Sequence, residues 1–568
     1  MKLYFGLLFM CIVAIVSIKE VHGNNLVPLE WAIETEQFSK KDSVNILLSW
    51  ERQGFSSTDG KCRLSNSFFI TDLNSDYIIE SKLQCHIDSI VINDKLVACD
   101  IDTKFWTDRK ASTIIDIPNG TLRTGENEVV IFCERLAYTG GIGHNVFSIS
   151  NKTDSLQREY VKVKIGNSDH QFSRMPMGIK IEYSSIMGGS LRVKIENSFH
   201  EKVYEKVLAL TPSVSGIIDL SLEEVDNLQG FYQCMAIIDS QTHCGDVEWF
   251  AVDPKNIACD NHCAPLDFDE YWRNAKKELD RVPMCSNLIY VDSLSTEYRK
   301  AYIAEMQSVG DLTIRAYYFV PRKEGQYYAI IHLPGYGDGF ENLDALKFDT
   351  TERIDMALCV RGHGISADVF NPGFDVPGIW GYGLYARDSI AYRSIYLDCV
   401  RAVDFLYSRQ EVDKARIGVV GGSQGGGLAL ATAGLCNDRI AACAYFDPFP
   451  CDIAHQIEIR TICMQQISDY LNYYNNPCSF TDAMTVQNYI DTKYFAPYIK
   501  SKVFYATALF DDDCPPHVGF AAYNHIDSDK QYVIYPLDSH LGESNHKAEF
   551  MKWFETVFHT DNGGMHHK

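Results

Sequence analysis

Residues 421–425 read Gly-Gly-Ser-Gln-Gly. One hydroxyl stands among residues with almost no side chain. The text before these five residues, RIGVV, is apolar and strand-like; the text after them, GGLALATAG, is helix-like. A serine at the tip of so sharp a strand-to-helix bend has a strained backbone and an exposed Oγ. The N–H groups of the following helix point at the same place. Residues two before and two after the serine crowd the bend, so Gly421 and Gly425 are the small residues it demands. Such a turn supplies a nucleophile and a place for developing negative charge. The bare G-x-S-x-G pattern also arises by chance, and a Gly-rich turn can simply pack or bind phosphate. A phosphate loop, however, would want a lysine that is absent here. Ser423 is therefore read as a nucleophile.

A serine needs a base, and the base an orienting acid. In α/β-hydrolases the chain order is Ser, then Asp or Glu, then His, each in a loop after a later strand. KVFYATALF (502–510) runs into DDDCPP, and KQYVIYP (530–536) runs into LDSHLGES. Asp511 and His540 fit both the order and the strand ends. Asp512 and Asp513 are alternative acids, and those not used are expected to cap a helix beginning near Pro515. His546 is an alternative base, but it is expected to open the last helix facing solvent. His540-x-x-Glu543-x-x-His546 lacks the four-residue spacing of helical zinc histidines. Cys259, His262 and Cys263 lack a second matched pair. No metal and no cofactor is expected.

Positioning these groups requires alternating strands and helices from about residue 310. Strands are predicted at 313–320, 327–334, 354–360, 416–421, 440–446, 502–510 and 530–536. Helices are predicted at 395–409, after Ser423, at 517–526 and at 546–558. Such alternation predicts a mostly parallel sheet covered on both faces. A helix from Phe268 carries Tyr271, Trp272, Ala275 and Leu279 on one stripe. Residues 24 to about 255 read differently. YVKVKI (160–165) and SLRVKIEN (190–197) alternate apolar and charged residues between turn clusters, the text of β-sandwiches. The expected layout is a signal peptide (1–23), a β-sandwich or jelly-roll-like domain (24–155), a second, Ig-like β-sandwich (156–258) and an α/β-hydrolase domain (263–560).

The chain has 568 residues and a formal net charge of -23. That acidity leaves no electrostatic footprint for nucleic acid and opposes anionic membranes. Lys2, the apolar run 3–18 and the small residues ending at Gly23 read as a secretory signal, the rival being an uncleaved anchor. The expected location is therefore extracellular or in a secretory or lysosomal lumen, with no membrane span after cleavage. Asn119 and Asn151 open N-glycosylation sequons. Of the 18 cysteines, some are expected to form disulfides in that compartment. Cys85/Cys99, Cys234/Cys244 and Cys259/Cys263 are the local candidates, with Cys359, Cys399 and Cys443 as buried thiols.

Residues 263–558 resemble carbohydrate esterase family 7, the acetyl xylan esterases and cephalosporin-C deacetylases. The resemblance rests on QEVDKARIGVVGGSQGGGL (410–428), YRSIYLDCVRA (392–402) and DDDCPPHVGFAAYNH (511–525). It implies Ser423 as nucleophile, Asp511 as acid and His540 as base. It also implies an oxyanion hole from the backbone N–H groups of Gln424 and Tyr336. The family's Arg-Gly-Gln is here Arg361-Gly362-His363, and the acidic neighbour of His540 is shifted to Glu543. The family tends to form hexamers from bare catalytic domains, whereas over 230 residues precede this one, so oligomeric state stays open. The implied activity is a serine esterase acting on an acetylated saccharide or other small acetyl ester, with Trp380, Phe449 and Pro450 as candidate acyl-pocket walls. Two other readings stand beside it. One is a peptidase of prolyl or dipeptidyl type, disfavoured by Gln424 where those enzymes often carry tyrosine. The other is an inactive adhesion or glycan-binding protein on the same fold.

Overall fold

The computed structural model describes residues 25–560, apart from 36–37, 48–49, 51–52, 54–60, 83–84, 102–112, 136–145, 153–158, 175–177, 221, 223–227, 241–242, 258–263, 338, 341, 374–377, 460–462, 474–477 and 541–545. The expected signal segment, the Cys259/Cys263 pair and Glu543 lie outside these residues. Among the described residues, no helix is long and apolar enough to cross a membrane.

The N-terminal region is built of sheets stacked in pairs, antiparallel except where Gln171–Phe172 pairs parallel with His243–Val252. A six-stranded sheet includes Glu30–Thr35, Lys61–Ile70, Cys85–Ile92 and Gly125–Arg135. A three-stranded sheet of Tyr77–Lys82, Thr113–Asp116 and Val146–Asn151 faces it. Their shared core includes Trp31 packed edge-on to Phe147, ring centroids 5.2 Å apart. A second pair follows. Its strand Gly189–Asn197 buries Leu191, Val193 and Ile195, which meet Val161, Val163 and Ile181 of the opposing sheet. Period-two alternation puts one face of each strand in the core.

Two of the cysteine pairs expected from proximity in sequence, Cys85/Cys99 and Cys234/Cys244, do not face each other. Cys99 lies opposite Ser89 and Cys85 opposite Arg135. Cys234 lies opposite Glu248 and Cys244 opposite Ile238. Strand register separates residues that are near in sequence and joins others: Cys62 is opposite Cys133, with Sγ atoms 3.3 Å apart. Asn119 is exposed, and Asn151 ends a strand half-buried.

The C-terminal half carries one nine-stranded sheet. Its strands are β1 (Ser286–Tyr290), β2 (Arg299–Ser308), β3 (Leu312–Pro321), β4 (Tyr327–Leu333), β5 (Ile354–Cys359), β6 (Val412–Gly422), β7 (Ala442–Phe446), β8 (Lys502–Ala508) and β9 (Lys530–Tyr535), in spatial order 1-2-3-5-4-6-7-8-9. The pairs from β1 to β5 across β2 and β3 are antiparallel. The remaining five pairs are parallel. Apart from the exposed Lys414 and Ala415 near the start of β6, the central strands β4 to β8 are largely buried, as parallel strands covered on both faces must be. On one face lie the helices Phe268–Asp280, Ala391–Ser408 and Gln424–Leu435, whose core also takes in Phe231 and Trp249 of the preceding β region. On the other face the helix His546–Thr560 packs Phe550, Phe554 and Phe558 against β4, β7 and β8.

The helix Gln424–Leu435 is buried on every side. Its glycines explain how it comes so close to its neighbours. A Cβ on Gly426 would lie 2.7 Å from the Phe446 carbonyl oxygen, and one on Gly427 2.1 Å from that of Phe449. The helix N-terminus is thereby pressed against the ends of β6 and β7, where the elbow serine sits.

Candidate active site

The sharp bend foreseen around Ser423 has a clear cause. Ser423 has φ 55° and ψ -125°, a conformation that costs a residue with a Cβ about 1–3 kcal/mol. It is held by its own backbone: Ser423 N–H donates to Phe446 C=O at 2.9 Å, while Ser423 C=O accepts from Gly426, Gly427 and Phe449 N–H. A Cβ on Gly421 would lie 2.3 Å from the Gly425 carbonyl carbon, and one on Gly425 2.5 Å from the Leu333 carbonyl oxygen. Gly422, the pattern's variable position, meets nothing closer than 3.7 Å.

Three residues far apart in sequence converge there. His540 Nε2 lies 2.9 Å from Ser423 Oγ, and His540 Nδ1 lies 2.7 Å from Asp511 Oδ2. Asp511 is fully buried, three residues past the end of β8. Its Oδ1 accepts from the N–H groups of Asp513 and Cys514 at 2.9 and 2.8 Å. Asp511 thus steadies its own turn. The helix Pro516–Asn524 has Pro515 at its N-cap and no side-chain cap, so Asp512 and Asp513 do not take the capping role expected of them. Burial works against the Asp511 charge, but the neighbouring imidazole and N–H donors hold its carboxyl below the usual carboxylate range. Burial also works against a charged His540, yet the Asp511 carboxylate outweighs it and lifts the imidazole above the ordinary histidine value.

His546 corrects a second expectation. It opens the last helix, but its ring does not face solvent. It stacks on Phe446 with centroids 4.1 Å apart and an interplanar angle of 8°. Burial pushes its pKa down to about 4, with Lys547 adding to the effect.

Gln424 and Tyr336 are the two residues whose backbone N–H groups the family resemblance implies as oxyanion donors. Gln424 is the first residue of its helix, where N–H groups have no intrahelical partner. Tyr336 follows β4 in a turn made by Gly337 at φ 140°, and its hydroxyl lies 3.3 Å from Trp380 N. The Gln424 side chain ties the two together, a role that sequence reasoning missed. One hydrogen of its Nε2 is shared between the carbonyls of Pro334 and Gly335 at 3.3 and 3.1 Å, leaving the other for a second partner, and its Oε1 accepts from Tyr392 O–H at 2.8 Å. The same Nε2 lies 2.8 Å from His363 Nε2. That nitrogen must therefore be an acceptor, which places the ring proton on Nδ1, donated to Arg361 C=O at 3.2 Å. His363 thus serves the elbow directly. Arg361 anchors the loop beneath, paired with buried Asp398 through Nε at 2.8 Å and Nη2 at 2.7 Å. Asp398 sits in the quoted YRSIYLDCVRA segment. A carboxylate on that apolar helix stripe was the signal that could have exposed this anchor.

Of the candidate pocket walls, Trp380 and Phe449 pack edge to face at 5.3 Å, and Phe449 N–H is bonded to Ser423 C=O. Pro450 follows Phe449, and its carbonyl accepts from Thr492.

Among the described residues, two groups bring three possible ligand atoms within 4.8 Å of one another: Asp447/Asp511/His540, and Asp452/His455/His517. The first shares its histidine and one acid with Ser423. In the second, Asp452 is already paired with Lys493 Nζ at 2.5 Å, so a cation there would have to displace an ammonium group.

Residues 259–557, just over half of the chain, match the family described as acetyl xylan esterase (AXE1). The chain belongs to the acetyl xylan esterase family. It is accordingly a carboxylic ester hydrolase with an α/β-hydrolase domain in its C-terminal part. Acetyl esterase Axe7A of Xylanibacter ruminicola is 27% identical over 300 residues, which cover 51% of this chain and 67% of that protein. Among solved structures, an acetyl xylan esterase from Paenibacillus sp. R4 is 30% identical with a TM-score of 0.48, covering 52% of this chain and 96% of that one. Acetyl xylan esterase 1 from Thermoanaerobacterium sp. JW/SL YS485 is 29% identical with a TM-score of 0.47, covering 54% and 98%.

Proposed function

We propose that this family member is a serine esterase that removes acetyl groups from acetylated saccharides by way of an acyl-Ser423 intermediate. The observation that carries the reading is the Ser423–His540–Asp511 chain of contacts at 2.9 and 2.7 Å. Ser423 Oγ attacks the acetyl carbonyl while His540 Nε2 takes its proton. The carbonyl oxygen becomes an oxyanion held by the N–H groups of Gln424 and Tyr336. His540 then protonates the departing sugar oxygen as the C–O bond breaks, leaving acetyl on Ser423. Water, deprotonated by His540, attacks that acyl group, and acetate and free Ser423 result. Asp511 keeps Nδ1–H pointed at itself and so leaves Nε2 to the serine. Trp380 and Phe449 close the acyl side against longer acids. The apolar run near the start of the chain and the two sequons support a secretory destination for this activity.

A panel of acetylated mono- and oligosaccharides and longer acyl esters, run on wild type and Ser423→Ala, tests the reading. Acetate release from the saccharides by wild type and its loss in the variant are expected. Release that survives in Ser423→Ala, or cleavage of peptide anilides in preference to acetyl esters, overturns it.

A further inference from the structure

A second carboxyl lies against the Asp511–His540 pair. Asp447 stands immediately past β7, fully buried, and its oxygen comes within 4.8 Å of the ligating atoms of both Asp511 and His540. Its two oxygens are treated differently. Oδ1 accepts from Thr507 O–H at 2.5 Å. Oδ2 has no hydrogen-bond partner among the described residues. A buried carboxylate oxygen without a donor is costly, but a protonated one needs an acceptor instead. The neighbouring Asp511 carboxylate offers acceptor oxygens.

We propose that Asp447 is a positioning residue that keeps its proton at neutral pH and donates it in a hydrogen bond from Oδ2 to the Asp511 carboxylate, fixing the acid that orients His540. Two carboxylates this close and this dry do not both ionise. Asp511 has His540 and two backbone N–H groups to hold its charge. Burial and the Asp511 charge push Asp447 well above the usual carboxylate range, while Thr507 and the backbone at Ala508 offset this only in part. The other titratable groups facing the pair are the Tyr505 phenol, buried beside both acids, and, around His540, Asp513 and His546. The proton on Asp447 spreads the Asp511 charge over one more hydrogen bond and limits how strongly Asp511 raises His540. The signal in sequence was a carboxylate ending the apolar run AACAYF.

This inference rests on the triad reading above, and the test separates the two. The acid limb of the pH profile of kcat/KM for an acetyl ester is measured in wild type, Asp447→Asn and Asp447→Val, with Ser423→Ala as control. Asn keeps a donor of the same shape and no charge. Asp447→Asn is therefore expected to leave the acid limb within about half a pH unit of wild type, with a smaller loss of rate than Val. Asp447→Val removes the donor, so the limb moves to higher pH and kcat/KM falls roughly 10- to 100-fold. Difference infrared spectra of wild type against Asp447→Asn should show the carbonyl stretch of a buried protonated carboxyl, a readout that does not depend on turnover. An acid limb about one pH unit or more lower in Asp447→Asn would mean that an anion had been removed and would overturn the proposal, as would absence of the infrared band. Activity that persists in Ser423→Ala would instead sink the triad.

Discussion

Asp511–His540 and Asp452–His455 make nearly the same contact. The carboxylate-to-imidazole distances are 2.7 and 2.6 Å, and both acids are fully buried. Their surroundings differ at the far side of each group. The second oxygen of Asp511 is taken by backbone N–H groups, and the second nitrogen of His540 faces Ser423. The second oxygen of Asp452 is taken by the Lys493 ammonium. The His455 ring is enclosed by Phe199 at 5.3 Å and His517 at 5.0 Å, with Phe199 also 4.9 Å from His517. Phe199 comes from the β region, and its neighbour His200 reaches Ile459 C=O at 3.0 Å. The same Asp–His contact thus faces a serine hydroxyl in one place, as the proposed proton carrier requires, and joins the β region to the hydrolase domain in the other. What lies beyond the imidazole decides which.

Substitutions at the two pairs should separate accordingly. Asp511→Asn should lower kcat by about 10⁴-fold, because it presents the wrong tautomer to the serine. A protonated imidazole cannot accept the serine proton, so wild-type kcat/KM should rise with pH through the elevated His540 pKa. The residual activity of Asp511→Asn should have its acid limb at lower pH, since the anion that raises His540 is gone. Steady-state kinetics across pH checks both effects. Asp452→Asn should leave kcat/KM within about threefold but lower stability by about 3 kcal/mol, since it leaves the buried Lys493 with Asp491 as its remaining anion. Denaturant unfolding measures that loss, and a fall in kcat comparable to that of Asp511→Asn would dissolve the comparison.

Smaller effects sharpen it further. Gln424→Leu keeps the backbone N–H and removes the tether to the Tyr336 loop. It should cost about 10²-fold in kcat with little change in KM, the scale expected for a slightly misplaced catalytic donor. His455→Gln should change kcat/KM by less than about threefold. Gly422→Ala should change stability by less than about 0.5 kcal/mol, because the added methyl meets ordinary contacts. Gly427→Ala, pressed against the Phe449 carbonyl, should cost about 3 kcal/mol or more by thermal or denaturant unfolding.

The elbow was legible in the sequence because its constraints are local. Gly421, Ser423 and Gly425 lie within one bend, and the strand and helix on either side announce themselves by period. Asp511 and His540 were legible through chain order and strand ends. What was not legible depends on contacts across the sheet. The Gln424 side chain meets Pro334 and Gly335, about ninety residues away, and local pattern does not encode that contact. His546 was misread because helix position alone does not disclose a partner such as Phe446. The Cys85/Cys99 and Cys234/Cys244 pairs were misread because proximity in sequence says nothing of register, which sets Cys62 against Cys133. Asp447 looked like the end of a strand until the fold brought Asp511 beside it.

The central claim is that Ser423 carries the acyl group during turnover. Rapid-quench peptide mass spectrometry with a slowly deacylating ester tests it directly. The account predicts a single covalent acyl adduct, on the peptide containing Ser423, formed at the rate of the burst and absent from Ser423→Ala. Turnover with no adduct at Ser423, or an adduct on another residue that forms just as fast, would contradict it.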